Sequence, residues 1–242
     1  MFASCLTLTS LRLPNTLRTI GDGAFYRCTS LQNVTIPESV TSIGDWAFQG
    51  CAGIKSIVIP SSVKTIGDGA FARATGLESV SIASSVTSIG GWAFARASSL
   101  TSISIPASVQ SVGDYAFKGC AGLVSIIFPR SLTSIGDGTF EACSSLTSFD
   151  IPDSVTVIGS YAFSRCTSIK SVTIPTSVTA IGDGAFAGCP LLTGVSVPSS
   201  VTALGDQAFA TEAQRWRKAP SVSKSPKVAA GISAGTSIGN AS

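Results

Sequence analysis

The chain has 242 residues, with 16 Lys/Arg, 13 Asp/Glu, a net charge of +3 and no histidine. Only 12% of residues are charged and 44% are hydrophobic, so core material is ample. Without histidine, Ser-His-Asp, Cys-His and His-metal chemistry are excluded.

Charge is spread unevenly. Residues 1–210 hold 11 Lys/Arg and 12 Asp/Glu, whereas residues 211–242 hold five Lys/Arg and one glutamate. The larger part has no basic field for nucleic acid, so a nucleic-acid partner is not expected. No stretch is long or apolar enough to span a membrane. The opening "MFASCLTLTSLRLP" lacks a basic segment followed by an apolar one, so no signal peptide is visible. Taken as complete, the chain reads as cytoplasmic. Its start falls in mid-unit, which suggests a fragment or a first turn covered by something else.

From Ile20 an aliphatic residue recurs every 23 positions through Ile43, Ile66, Ile89 and Val112 to Leu204. A small residue plus Phe follows each, from Ala24-Phe25 to Ala208-Phe209. A fixed period of this size predicts a solenoid over 1–210, in about nine turns. In the unit "LQNVTIPESVTSIGDWAFQGC", Val34 and Ile36 alternate as a short strand that Pro37 ends. Val40 and Ile43 point inward from a second extended segment. Asp45 opens a helical turn that carries Ala47 and Phe48, with Phe48 in the interior and Cys51 beside it. One unit cannot bury these residues alone, but stacked units can.

The frame "L..V.IP.SVT.IG..AF..C" resembles the BspA-type leucine-rich repeat family over residues 1–209. The departures are few: Ala83 replaces the Pro, Thr139 the Ala, and Ala74 and Ala97 the Cys. The resemblance implies a leucine-rich-repeat right-handed coil with short parallel β-strands on one face. It also implies a module of cell-surface or secreted proteins that binds host or matrix proteins in adhesion.

Seven cysteines, Cys5 through Cys189, share one column. Disulfides are conceivable between stacked positions. A buried ladder of small thiols fits better, because side chains in a column point the same way and the column accepts Ala. Zinc is disfavoured by the absence of Cys-x-x-Cys and of histidine, so no metal or cofactor is expected. Free thiols suit a reducing compartment. A second column, Asp22, Asp45, Asp68, Asp114, Asp137, Asp183 and Asp206, is interrupted by Gly91 and Ser160. Calcium wants six to eight oxygens, and one acid per turn is thin. Asp, Ser and Gly are all favoured helix N-caps, so capping of the following turn is the expectation.

The next residue alternates in size: Gly23, Trp46, Gly69, Trp92, Tyr115, Gly138, Tyr161, Gly184. Either each ring lies over space that its Gly neighbours leave empty, or Trp46, Trp92, Tyr115 and Tyr161 anchor a protein partner. The outward strand positions are mostly Ser and Thr, broken by Val124 and Ile127, the other candidate contact spot. "GDGAF" lacks the spacing of a phosphate loop. Asn33-Val34-Thr35 and Asn240-Ala241-Ser242 match the glycosylation sequon.

"TEAQRWRKA" predicts a capping helix at 211–218, and 219–242 reads as a flexible basic tail. Every acid of the Asp column repeats with the structural period, whereas an active site should appear once. That argues against catalysis, and the resemblance then implies a non-enzymatic protein-binding or adhesion module as the expected function. The alternatives are an intracellular scaffold or a spacer.

Overall fold

A computed structural model describes residues 2–210, so the expectations for 211–218 and 219–242 lie outside the described residues. The described chain winds into a parallel β-solenoid whose coils repeat at the 23-residue period. Eight such steps lead from Ile20 to Leu204.

Strands line two faces of the coil rather than one. On the first face Ser10–Arg12 pairs with Asn33–Thr35, Ser56–Ile59 with Ser79–Ile82, and Ser171–Thr173 with Gly194–Ser196, all parallel. On the second face two-residue strands run from Thr19–Ile20 to Ala203–Leu204, with Ile20 opposite Ile43 and Ile43 opposite Ile66. Burial drives this second ladder, because Val40 and Ile43 are almost fully enclosed. Pro37 ends the first strand and its carbonyl accepts the Val40 N–H at 3.0 Å, which turns the chain between the faces.

The third side is built of turns, and no helix occurs among the described residues. The difference from the expected helical turn at Asp45 lies in where the N–H groups go. Trp46, Phe48 and Gly50 donate to the carbonyls of Asp68, Ala70 and Ala72 in the next coil, at 2.7, 2.7 and 2.8 Å. A helix would direct those donors to its own carbonyls four residues back. Left-handed backbone at Trp46 and Gly50, with φ of 57° and 73°, flanks Phe48 and accompanies this outward aim. All three sides are thus bonded coil to coil.

The core is one column of phenylalanines running from end to end. Phe2 to Phe209 stack with ring centroids 5.0 to 5.7 Å apart and planes within 15°. From Phe48 to Phe186 the rings are essentially sealed from solvent, and each stabilises the coil by roughly 1.5–3 kcal/mol. Cys51 sits beside Phe48 as expected. Its thiol donates to the Phe25 carbonyl of the preceding coil at 3.1 Å. Five more thiols repeat this bond at 2.9 to 3.2 Å. All seven cysteines are free, and all but Cys5 are buried.

One stretch departs from the frame. Phe128 and Phe149 occupy positions that hold Ile or Val in most coils. Phe149 stacks on Phe163 at 4.6 Å, while Phe128 meets Phe140 edge-on at 5.5 Å. To admit these rings the first-face ladder thins to a single bridge, Ser125 to Ser148.

Candidate functional site

The Asp column is a ladder between coils. Asp22 Oδ1 accepts the Asp45 N–H at 2.9 Å, Asp45 accepts from Asp68 at 2.8 Å, and Asp68 accepts from Gly91 at 2.7 Å. Asp114, Asp137 and Asp183 do the same for the coils above them. Each carboxylate therefore caps its neighbour's turn rather than its own, which corrects the capping expectation in direction. The preceding glycine column follows from this. A side chain at Gly67, Gly90 or Gly159 would collide with the carboxylate oxygen of the coil below. Among the described residues no group of three His, Cys, Asp or Glu side chains is placed to hold a metal ion.

The aromatic column is both packed and exposed. A methyl group on Gly69, Gly138 or Gly184 would collide with the rings of Trp46, Tyr115 and Tyr161 respectively, so each ring covers the glycine of the following coil. The exception is Trp92, which stacks on Tyr115 at 5.3 Å. The outer faces of the rings stay in solvent: Trp46 is 38%, Trp92 42% and Tyr161 47% exposed, and Tyr115 is half-buried. All four have left-handed φ between 52° and 60°, a region that favours glycine. The packing role and the availability for a partner are therefore compatible.

Sequence reasoning missed a parallel column four residues on. Arg27, Arg73, Arg96 and Arg165 are also left-handed, with φ of 57° to 60°, and alternate with Gly50, Gly119 and Gly188. Arg27, Arg96 and Arg165 lay their Cγ atoms over those glycines, leaving the guanidinium ends outward. The same period-23 alternation that disclosed the Trp/Gly column would have disclosed this one.

The strand face holds the second candidate spot. Ile127 is 66% and Val124 45% exposed, and Ile127 borders a groove of about 750 Å³ that Phe128, Arg130 and Asp150 also line. The groove lies where Phe128 and Phe149 thin the ladder. Val58, three coils away in the Ile127 column, is 64% exposed and belongs with this face. It was missed, although the outward parity of Thr35 and Ser81 marks its position.

The buried thiols are poor nucleophiles. Burial pushes Cys51 and Cys120 up to about 12 and Cys189 to about 11, and raises Cys143 and Cys166 well above the ordinary value. Buried, protonated thiols are inert, so their being free does not favour a reducing compartment.

Comparisons agree with this architecture. The family model for the BspA type leucine rich repeat region matches residues 1–103 and 93–214, in six copies. The chain belongs to that family. A search of curated protein sequences gives no match. Among solved structures, a leucine-rich repeat protein from Eubacterium ventriosum shares 22% identity at a TM-score of 0.62, over 97% of this chain and 82% of that one. The T. pallidum leucine-rich repeat protein shares 28% identity at a TM-score of 0.51, over 81% of this chain and 72% of the other. A leucine rich cell surface protein from Faecalibacterium prausnitzii shares 25% identity at a TM-score of 0.40, over 80% of each chain.

Proposed function

We propose that this chain is a non-enzymatic protein-binding module that presents a rigid repeat surface in adhesion, at a cell surface or in a secreted protein. One observation carries the reading: the rings of Trp46, Trp92 and Tyr161 stand 38–47% exposed on left-handed backbone that coil-to-coil hydrogen bonds hold in place. Trp and Tyr are leading interface anchors, and a surface already ordered before contact lowers the entropy lost on binding. The sheet face with Val124 and Ile127 is the second surface available to a partner.

The test is capture of candidate host and matrix proteins on immobilised solenoid, compared with a Trp46→Ser, Trp92→Ser, Tyr161→Ser variant whose fold is checked by circular dichroism. Loss of a captured protein in the folded variant supports the reading. Equal capture by both removes the aromatic column from it, and no capture by the wild type favours a spacer. Antibody to the solenoid should label intact cells. Labelling that appears only after permeabilisation points to an intracellular scaffold instead.

A further inference from the structure

Between positions 22 and 206 the aromatic and arginine columns coincide in two coils, Trp92 with Arg96 and Tyr161 with Arg165. Those two coils are also the ones that lack the column aspartate, having Gly91 and Ser160 in its place. We propose that these two coils form a cationic-aromatic docking surface for an extended acidic segment of a partner protein. This inference rests on the protein-binding reading and names the chemistry of its partner.

Charge supports it first. Among the described residues the ion pairs are Lys55–Glu78 and Lys118–Glu141, so Arg96 and Arg165 face solvent without a carboxylate. Arg73 adjoins Arg96 in its column, which makes the Trp92 end the more basic. Glu141, the nearest acid to either end in its column, is held by Lys118 at 2.8 Å. The carboxylates of Asp68 and Asp137 accept the Gly91 and Ser160 N–H groups at 2.7 Å, and an aspartate at position 91 or 160 would add a second negative charge beside the ring and repel an anion there. The fold does not require these side chains either, since glycine serves at the equivalent positions 23, 69, 138 and 184.

Spacing identifies the occupant. The two coils are three steps apart, or about 15 Å at roughly 4.8 Å per strand spacing. An extended peptide rises about 3.3 Å per residue and returns to the same side every second residue. Carboxylates at i and i+4 therefore share one face and, with the reach of Glu and Arg side chains, meet both guanidinium groups. Arginine forks accept carboxylates in bidentate pairs. A uniformly charged polymer, whether a sulfated glycan or a nucleic acid, would also run over Asp114 and Asp137 on the intervening coils. A peptide can put neutral residues there.

The probes are short fluorescein-labelled Thr/Val peptides with two glutamates four positions apart. Controls place them three positions apart or replace them by lysine, and heparin serves as competitor. Saturable anisotropy is expected for the four-apart peptide, about tenfold tighter than for the three-apart one and weakening with salt. The Arg96→Ala, Arg165→Ala double variant should lose about tenfold in affinity. Ser160→Asp, which extends the ladder and so keeps the fold, should lose several-fold. No saturable binding, equal binding of the three-apart or lysine peptides, or preferential binding of heparin overturns the proposal. Binding mapped by NMR to Val58 and Ile127 overturns it while the protein-binding reading stands. Failure of the wild type to capture any protein removes both.

Discussion

Two aromatic columns run along the rod two residues apart, and they obey different rules. Phe48 and its equivalents recur in every coil and are sealed inside from Phe48 to Phe186. Trp46 and its equivalents occupy four of the positions from 23 to 184, alternate with glycine, and keep one face in solvent. The inner column is what stacking demands, since an omitted ring would leave a void between two neighbours. The outer column is optional for the fold and disfavoured by its backbone, so its residues are free to serve binding. Keeping the period therefore identifies architecture, whereas variation within the period marks surface positions that the architecture leaves free.

The largest difference between the columns should be in stability. Phe117→Ala removes a ring stacked at 5.4 Å on both Phe94 and Phe140 and should cost about 3–5 kcal/mol. Trp92→Ser, on the outer column, should cost less than about 1 kcal/mol. Urea unfolding of the two variants checks this, and equal costs would show that the outer rings are core residues. A smaller effect tests how the outer column is packed. Gly69→Ala puts a methyl group into the Trp46 ring on a backbone with φ of 59°, and should cost about 2 kcal/mol. In a Trp46→Gly background only the backbone part, about 1 kcal/mol, should remain. Additivity in that cycle would mean that the ring does not rest on the glycine.

Much of this was legible in the sequence, for reasons that particular residues show. The Phe48, Ile43 and Cys51 positions recur without drift, and a fixed period of apolar residues has few stacked solutions. The Asp ladder was not legible. Asp45-Trp46-Ala47-Phe48 reads equally well as a capped helical turn. Whether the Trp46 N–H bonds within its own coil or to the next depends on a neighbour 22 residues away. Paired strands on the second face were hidden for the same reason, since two-residue strands such as Ser42–Ile43 exist only through the coils beside them. The arginine column was readable and was overlooked, because scattered charge is ordinarily just solvated surface.

The buried cysteine column also makes stability respond to pH. Burial raises Cys120 from an ordinary 9.0 to about 12, so between those values the unfolded chain loses a proton that the folded chain keeps. The stability associated with this thiol is therefore intact below pH 9 and declines as pH rises toward 12. The slope approaches about 1.4 kcal/mol per pH unit. Cys120→Ala, a residue the column already accepts at Ala74 and Ala97, should flatten the decline by roughly 1 kcal/mol at pH 10. Urea midpoints at pH 8 and pH 10 for the two proteins measure it. Identical slopes would mean that the thiol meets water in the native coil.

The smallest expected effect concerns the exposed ladder, and it separates hydrogen bonding from cation binding. Asp68 Oδ1 accepts the Gly91 N–H at 2.7 Å. Asp68→Ala removes the acceptor and should cost about 1 kcal/mol. Asp68→Asn keeps an oxygen on the same stem while removing the charge, so it should recover most of that loss. If the column instead works by holding cations, asparagine should be as poor as alanine, and added calcium should stabilise the wild type alone. The predicted order of stability is wild type, then Asn slightly below, then Ala, with no response to calcium. That order follows from a carboxylate whose task is to accept one N–H from the adjacent coil, a task for which its charge is incidental.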